Sequence, residues 1–394
     1  MRNIFRITAL LILAGFILPF GQAFAQTPPT QDLNAITTSV PFLLIAPDAR
    51  GGAMGETGVA SDPDVASMHW NPSKLAFAEK TMGFEMSYLP WLRELVDDIG
   101  MYHLSGYYKP DKNQAIGFAL RYFSLGNITF TNNTGIPIGD YKPNEFSLDA
   151  AYSRKLTDNL SAGIAGRFIY SNLTLGQNVS GAESHAATSF AADVSLYYRT
   201  DLDIRDLRKS NLNFGLNISN IGAKVAYTST TQKDFIPTNL RFGTNFSFDI
   251  DDYNSMSFNF DVTKLLVPTS PIYFADSVDV NGNRVIYQGR DPNVSVVKGI
   301  FQSFYDAPGG FSEELKEFTW ALGAEYWYNK QFAVRAGYFH ESAMKGDRKF
   351  ITFGAGLKYN VFGLDFAYLV STDQRSPLDN TLRFTLTFDF AAFQ

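Results

Sequence analysis

Gln114-Ala115-Ile116-Gly117-Phe118-Ala119-Leu120-Arg121-Tyr122-Phe123-Ser124 is the stretch on which the fold turns. Its even positions Ile116, Phe118, Leu120 and Tyr122 are large and apolar, whereas Ala115, Gly117, Ala119 and Arg121 between them are small or charged. A repeat of two sends successive side chains to opposite faces of a strand, leaving one face apolar and the other polar or small. The rhythm recurs in Phe146, Leu148, Ala150 and Tyr152 against Ser147, Asp149 and Ala151. It returns in Met256, Phe258, Phe260 and Val262 against Ser257, Asn259 and Asp261, and in Leu382, Phe384, Leu386, Phe388 and Phe390 against Arg383, Thr385, Thr387 and Asp389. A water-soluble sandwich would also alternate, so length and number have to decide. Fourteen segments read as strands: 81–88, 101–109, 114–124, 143–155, 160–172, 186–200, 212–221, 237–249, 254–264, 318–328, 331–341, 349–359, 361–371 and 381–391. Most are as long as a tilted strand crossing a bilayer, roughly 9–11 residues or more, whereas sandwich strands run about 5–6. An even number suits a closed antiparallel barrel, and closure is required because lipid offers no partner to an unpaired edge.

The connections test this reading independently. Those after even-numbered segments are short (110–113, 156–159, 250–253, 329–330, Asn360), with 201–211 as a longer, charged exception. Those after odd-numbered segments are long: 89–100, 125–142, 173–185, 222–236, 265–317, 342–348 and 372–380. Short periplasmic turns alternating with long external loops are the pattern of an outer-membrane barrel. Composition agrees. Aromatics make up 15% of 394 residues, with 35 Phe and 20 Tyr, and cysteine is absent, which excludes a disulfide framework or thiolate metal site. The net charge of −6 lacks the basic excess of a nucleic-acid binder. Residues 1–25 read as a secretory signal peptide, with Arg2 and Arg6, an apolar run over Leu10–Leu18 and Ala23-Phe24-Ala25 at the cleavage site. No later stretch approaches the ~18 apolar residues of a spanning helix. The face opposite the apolar one carries both signs of charge, among them Arg121, Asp149, Arg167, Asp193, Arg241, Asp261, Glu325, Arg335, Lys358, Asp365 and Arg383, which reads as a paired network inside the lumen.

Residues 26–80 do not alternate. They hold Gly51, Gly52, Gly55 and Gly58, and too many apolar side chains (Phe42, Leu43, Leu44, Ile45, Met54, Met68, Trp70) for a solvated leader. They read as a hatch inside the barrel, which then comprises residues 81–394. Trp70, Asn71 and Pro72 form its compact turn: Asn71 suits a helix N-cap and Pro72 the first helical position, where no donor is needed.

The run Ala49-Arg50-Gly51-Gly52-Ala53-Met54-Gly55-Glu56-Thr57-Gly58-Val59-Ala60, followed by His69-Trp70-Asn71-Pro72-Ser73-Lys74-Leu75-Ala76, resembles the N-terminal hatch of the long-chain fatty-acid transporter (FadL-like) superfamily of fourteen-stranded barrels. Two further blocks, Pro41-Phe42-Leu43-Leu44-Ile45-Ala46-Pro47-Asp48-Ala49-Arg50 and Ser87-Tyr88-Leu89-Pro90-Trp91-Leu92-Arg93-Glu94-Leu95-Val96-Asp97-Asp98-Ile99, are similar to its PorV branch, the outer-membrane shuttle proteins of type IX secretion. One departure is the end, where Phe393 is followed by Gln394 although outer-membrane barrels often finish on an aromatic. The resemblance implies a non-enzymatic protein of the outer membrane. It would receive cargo bearing C-terminal sorting domains from the type IX translocon barrel and deliver it to a sortase-like surface attachment complex, among outer-membrane lipid and lipopolysaccharide. The wider superfamily implies the alternative, transport of long-chain fatty acids or other hydrophobic small molecules.

The chain offers little for catalysis. His69, His103, His185 and His340 are dispersed, without metal-ligand spacing, and no local motif brings a nucleophile, base and orienter together. No catalytic residue, cofactor or metal ligand is assigned. The Asn281-Gly282 pair reads as the turn of a hairpin within loop 265–317, and Val294–Tyr305 as a short amphipathic helix. That long loop is too aromatic for a linker, so Phe301, Phe304 and Tyr305, together with Trp91 and Leu92 of loop 89–100, are the candidate partner-binding residues.

Overall fold

The computed structural model describes residues 33–390 apart from 94, 95, 97, 132, 133, 178–182, 206, 229–232, 279–281, 283, 374 and 375. The signal peptide read over 1–25, the first residues of the segment 26–80 and the Phe393-Gln394 end lie outside the described residues. In chain order the strands are β1 (Met82–Pro90), β2 (Gly100–Asp111), β3 (Gln114–Ser124), β4 (Ile128–Thr131), β5 (Pro137–Tyr141), β6 (Asn144–Lys155), β7 (Leu160–Asn172), β8 (Ala187–Leu202) and β9 (Lys209–Gly222). They continue with β10 (Asn239–Asp249), β11 (Asn254–Leu265), β12 (Ile272–Val278), β13 (Arg284–Gln288), β14 (Phe318–Tyr328), β15 (Phe332–His340), β16 (Lys349–Tyr359), β17 (Phe362–Ser371) and β18 (Thr381–Phe390). Fourteen of them close an antiparallel barrel in the order β1-β2-β3-β6-β7-β8-β9-β10-β11-β14-β15-β16-β17-β18. Pairing of β18 with β1, from Met82↔Phe390 to Tyr88↔Phe384, completes the ring. These are the fourteen segments expected from the alternation, so the fold class stands.

Burial is inverted relative to a soluble protein. In β3 the large apolar side chains face outward, with Ile116 52% exposed, while Arg121 is 2% exposed on the inner face. Register makes the outer surface continuous: Leu120 lies opposite Leu104 on one side and Leu148 on the other. At the long-loop end the rings of Tyr88, Tyr102 and Tyr122 follow one another at 5.0 and 6.4 Å, a girdle of the kind aromatics form at membrane interfaces. The short turns are tight. Asn329, Lys330 and Asn360 all have positive φ, a conformation asparagine tolerates well.

Two boundaries differ from the sequence reading. The connection read as 201–211 is only 203–208, because β8 and β9 extend beyond the bilayer-facing residues. On the long-loop side the strands flanking the expected Asn281-Gly282 turn pair as β12 and β13, Asn281 itself lying outside the described residues, and a second hairpin, β4–β5, occupies loop 125–142. The helix expected over Val294–Tyr305 is shorter, Val296–Gln302, with Ser295 Oγ accepting from the Lys298 amide at its start. A second short helix, Phe311–Lys316, follows it. Among the described residues no helix is long and apolar enough to cross a membrane.

The segment before β1 folds as short helical turns, Pro41–Leu44, Ala49–Ala53, Ser67–Trp70 and Pro72–Phe77, packed against the inner wall. Val40, Phe42 and Leu43 sit in an apolar cluster with Leu89, Met101, Phe123 and Ile236 near the long-loop end. Met68 and Leu75 pack with Tyr107, Ala115, Ala151 and Ala165 lower in the barrel.

Candidate functional site

Trp70 organises the inner segment. Its Nε1 donates to Asp48 Oδ1 at 2.7 Å, and Asp48 Oδ2 accepts from the Gly51 amide at 2.6 Å, so one carboxylate caps the Ala49–Ala53 helix and fixes the indole. The ring lies so close to Gly51 and Gly58 that a Cβ at either position would fall 2.7 or 2.3 Å from it. The glycine run is therefore the bed for this indole. Arg241 stacks 5.0 Å from the same ring. Asn71 caps the Pro72–Phe77 turn, its Oδ1 accepting from the Ser73 amide, while its Nδ2 donates to the carbonyls of Val59 and of Leu196 in the wall, both at 2.9 Å.

The wall grips the segment through polar side chains all along its length. Thr385 Oγ1 accepts from the Ala49 amide and Thr352 Oγ1 from the Gly55 amide, each at 2.8 Å. Asp261 Oδ2 accepts from Gly58 and Val59 at 2.8 and 3.0 Å, Asn217 Nδ2 donates to the Trp70 carbonyl at 3.0 Å, and Ser161 Oγ donates to that of Ser73 at 2.7 Å. Charges are matched across the same boundary. Arg50 donates twice to Glu325 and once to Asp64, and Arg335 donates to Glu325 and Asp365. Arg383 pairs with Glu56, and Arg121 donates to the Leu43 carbonyl and to His69 Nδ1. Arg167 bridges Asp149 and Asp193 within the wall. Toward the short turns a cavity of about 420 Å³ remains, bordered by both signs of charge, including Arg50, Asp64, Glu325, Arg335 and Lys358.

At the long-loop end a second buried network joins three pieces of chain. Lys264 pairs with Glu317 and Glu314 at 2.5 and 3.3 Å, and Lys345 of loop 342–348 with Glu313 and Glu317 at 2.6 and 2.9 Å. The segment before β1 enters it through Asn34, whose Nδ2 donates to Glu313 Oε1 at 2.8 Å and whose amide donates to the Met344 carbonyl at 2.9 Å. The helix Phe311–Lys316 is consequently inside out: Glu313 and Glu314 are buried, whereas Phe311 and Leu315 are exposed. Beside it Asp306 accepts from the Thr269 amide and from Gln302, and burial, reinforced by Glu314, pushes its carboxyl up to about 6.

The five candidate partner residues divide into two groups. Phe301, Phe304 and Tyr305 are exposed at the end of the Val296–Gln302 helix, with Arg290 over the Tyr305 ring. Trp91 instead packs half-buried against the Val40–Phe42–Leu89 cluster, and Leu92 takes a positive φ. Sequence reasoning passed over Asp48, Arg50, Glu56 and Asn34. Asn34, Arg50 and Glu56 each bond a residue at least 275 positions away, and Asp48 bonds Trp70, 22 positions on.

A family model for the type IX secretion system protein PorV matches residues 28–272. No curated protein sequence matches. Among solved structures, the Pseudomonas putida toluene transporter TodX is 14% identical with a TM-score of 0.49, covering 91% of this chain and 100% of that one. The Ralstonia pickettii toluene transporter TbuX is 13% identical with a TM-score of 0.46, over 88% of this chain and 98% of that one. A Pseudomonas aeruginosa FadL homologue is 12% identical with a TM-score of 0.43, over 91% and 100%.

Proposed function

Because the chain belongs to the PorV family of type IX secretion system proteins, we propose that it takes over cargo by its C-terminal sorting domain at the translocon barrel and delivers it to the surface attachment complex. Its place as an outer-membrane component of type IX secretion follows from the family itself; the hand-over is our reading. The observation that carries it is the family match over 28–272, which takes in the segment before β1 and the wall from β1 to β11. In this reading residues 26–80 are a plug and the long-loop end is the working surface. The exposed Phe301, Phe304 and Tyr305 support that assignment, since interface hot spots are usually aromatics that become buried on binding.

The test pairs two variants. Phe301→Ala/Phe304→Ala/Tyr305→Ala removes the aromatic surface, and Leu44→Asn places a polar side chain beside the apolar cluster under the long loops. Each is scored for secretion of a cargo with a sorting domain and for uptake of an oleate analogue. The loop variant should lose cargo binding by about thirtyfold or more, the equivalent of one hot spot of ~2 kcal/mol. Normal secretion in the loop variant, together with lost uptake in Leu44→Asn, would replace the shuttle by a transporter of hydrophobic molecules.

A further inference from the structure

The segment before β1 runs the full height of the barrel. At its lower end Lys109, near the last residues of β2, donates to the carbonyls of Ala76 and Ala78 beside the short turns. At its upper end Ser39 donates through its amide to Phe235 in loop 222–236, and Asn34 is bonded to Met344, Ser270 and Glu313, all in long loops. From Leu33 to Thr38 exposure alternates, Leu33 being 76% exposed, and at Ser39 the chain becomes buried. Residues 33–38 are thus an extended strap lying on the long-loop face, continuous with the chain that packs inside the wall.

What holds the strap is the inside-out helix. Phe311–Lys316 spends its two buried glutamates inward: Glu313 holds Asn34 and Lys345, and Glu314 holds Lys264. Its two apolar side chains, Phe311 and Leu315, face out. A six-residue helix cannot move one face without the other, so whatever engages the outer face acts on the strap.

We propose that the strap Leu33–Thr38 is an extracellular latch. Loops 265–317 and 342–348 clasp it through Asn34, Glu313 and Lys345, so the upper end of the segment inside the barrel is held, and can be released, from the cell surface. The inference rests on the outer-membrane reading for its orientation but not on the identity of the cargo.

The natural chain has no cysteine, so single cysteines report without background. In intact cells a membrane-impermeant maleimide should label Leu33→Cys as readily as Arg290→Cys in the long loop, and should reach Lys112→Cys in a short turn only after lysis. Ser39→Cys, at the buried end of the strap, should react slowly, and adding Asn34→Ala should speed it at least tenfold while leaving the loop pairs Lys345–Glu313 and Lys345–Glu317 in place. Lys345→Met, which opens the clasp from the other side, should do the same. Each variant is first checked for a folded barrel by its heat-shifted gel mobility. Protection of Leu33→Cys in cells where Arg290→Cys reacts would overturn the latch, as would a Ser39→Cys rate that neither second substitution changes. Labelling of Lys112→Cys in intact cells with Arg290→Cys silent would instead invert the barrel, a failure of the orientation and distinguishable from the first two.

Discussion

Trp70 shows how much of the inner segment hangs on a single side chain. It is 3% exposed, bonded to Asp48, bedded on Gly51 and Gly58 and covered by Arg241. Truncation to alanine leaves a cavity and an unpaired Asp48 oxygen, a cost of about 3–5 kcal/mol for a buried large aromatic. Gly58→Ala attacks the same contact from the other side, by overpacking, and should cost about 1–3 kcal/mol. Trypsin reads both effects, because Arg50 and Lys74 are cleavage sites within the segment, and Lys74 is fully buried, donating to the Gly58 carbonyl. Both variants should be cut at these sites in urea concentrations that leave the natural protein whole. Equal resistance in Trp70→Ala would mean that the indole anchors nothing. At this scale the sequence was only half legible. The Trp-Asn-Pro turn stood out because its capping partners are neighbours. The role of Arg50 did not, because its acceptor Glu325 is 275 positions away and nothing local distinguishes a lumen-facing arginine from a solvated one.

Among the elements, the loop between β11 and β14 carries a buried carboxyl whose titration is shifted on folding. Asp306 has an ordinary carboxyl in the unfolded chain, near 3.8, but titrates at about 6 in place, burial being the main cause. Between these values the folded loop holds a proton that the unfolded loop has released. The contribution of Asp306 to stability is therefore largest below about pH 4, falls as pH rises through that window, and stays at the lower level above 6. Amide exchange over the Val296–Gln302 helix should be slower at pH 4.5 than at pH 7.5, after correction for intrinsic rates. Asp306→Asn keeps an oxygen for Thr269 and Gln302 and cannot ionise, so it should abolish the difference and slow exchange at pH 7.5. A pH effect that survives this substitution would move the cause to another group. The same loop marks where element boundaries could be read. Across the bilayer, period two is enforced because lipid meets one face and the lumen the other, and all fourteen wall strands were legible within a few residues. Beyond it nothing enforces alternation. Asp201 and Leu202 of β8 and Ser210 and Asn211 of β9 stay paired beyond it, although they read as part of the loop.

For the molecule as a whole, wall and inner segment depend on each other unequally. The wall is a closed ladder of backbone bonds whose outer face is stabilised by lipid, and none of its fourteen pairings passes through residues 34–77. The segment, by contrast, adds to its own internal bonds, such as Trp70–Asp48 and Lys74–Gly58, a series of polar contacts with the wall. Deleting residues 34–77 strips Asp261, Glu325 and Arg383 of the groups they hold, yet these side chains would then face a water-filled lumen, where unpaired charges cost little compared with an apolar interior. The barrel should consequently still fold and keep its heat-shifted mobility, while the plug we propose is gone. Single-channel conductance in planar bilayers should rise from near zero to that of an open pore, and cells should become sensitive to vancomycin. Loss of the folded barrel would show that the wall needs the segment as a template. A folded but non-conducting deletion would show that the loops over the mouth, and not residues 34–77, close the lumen.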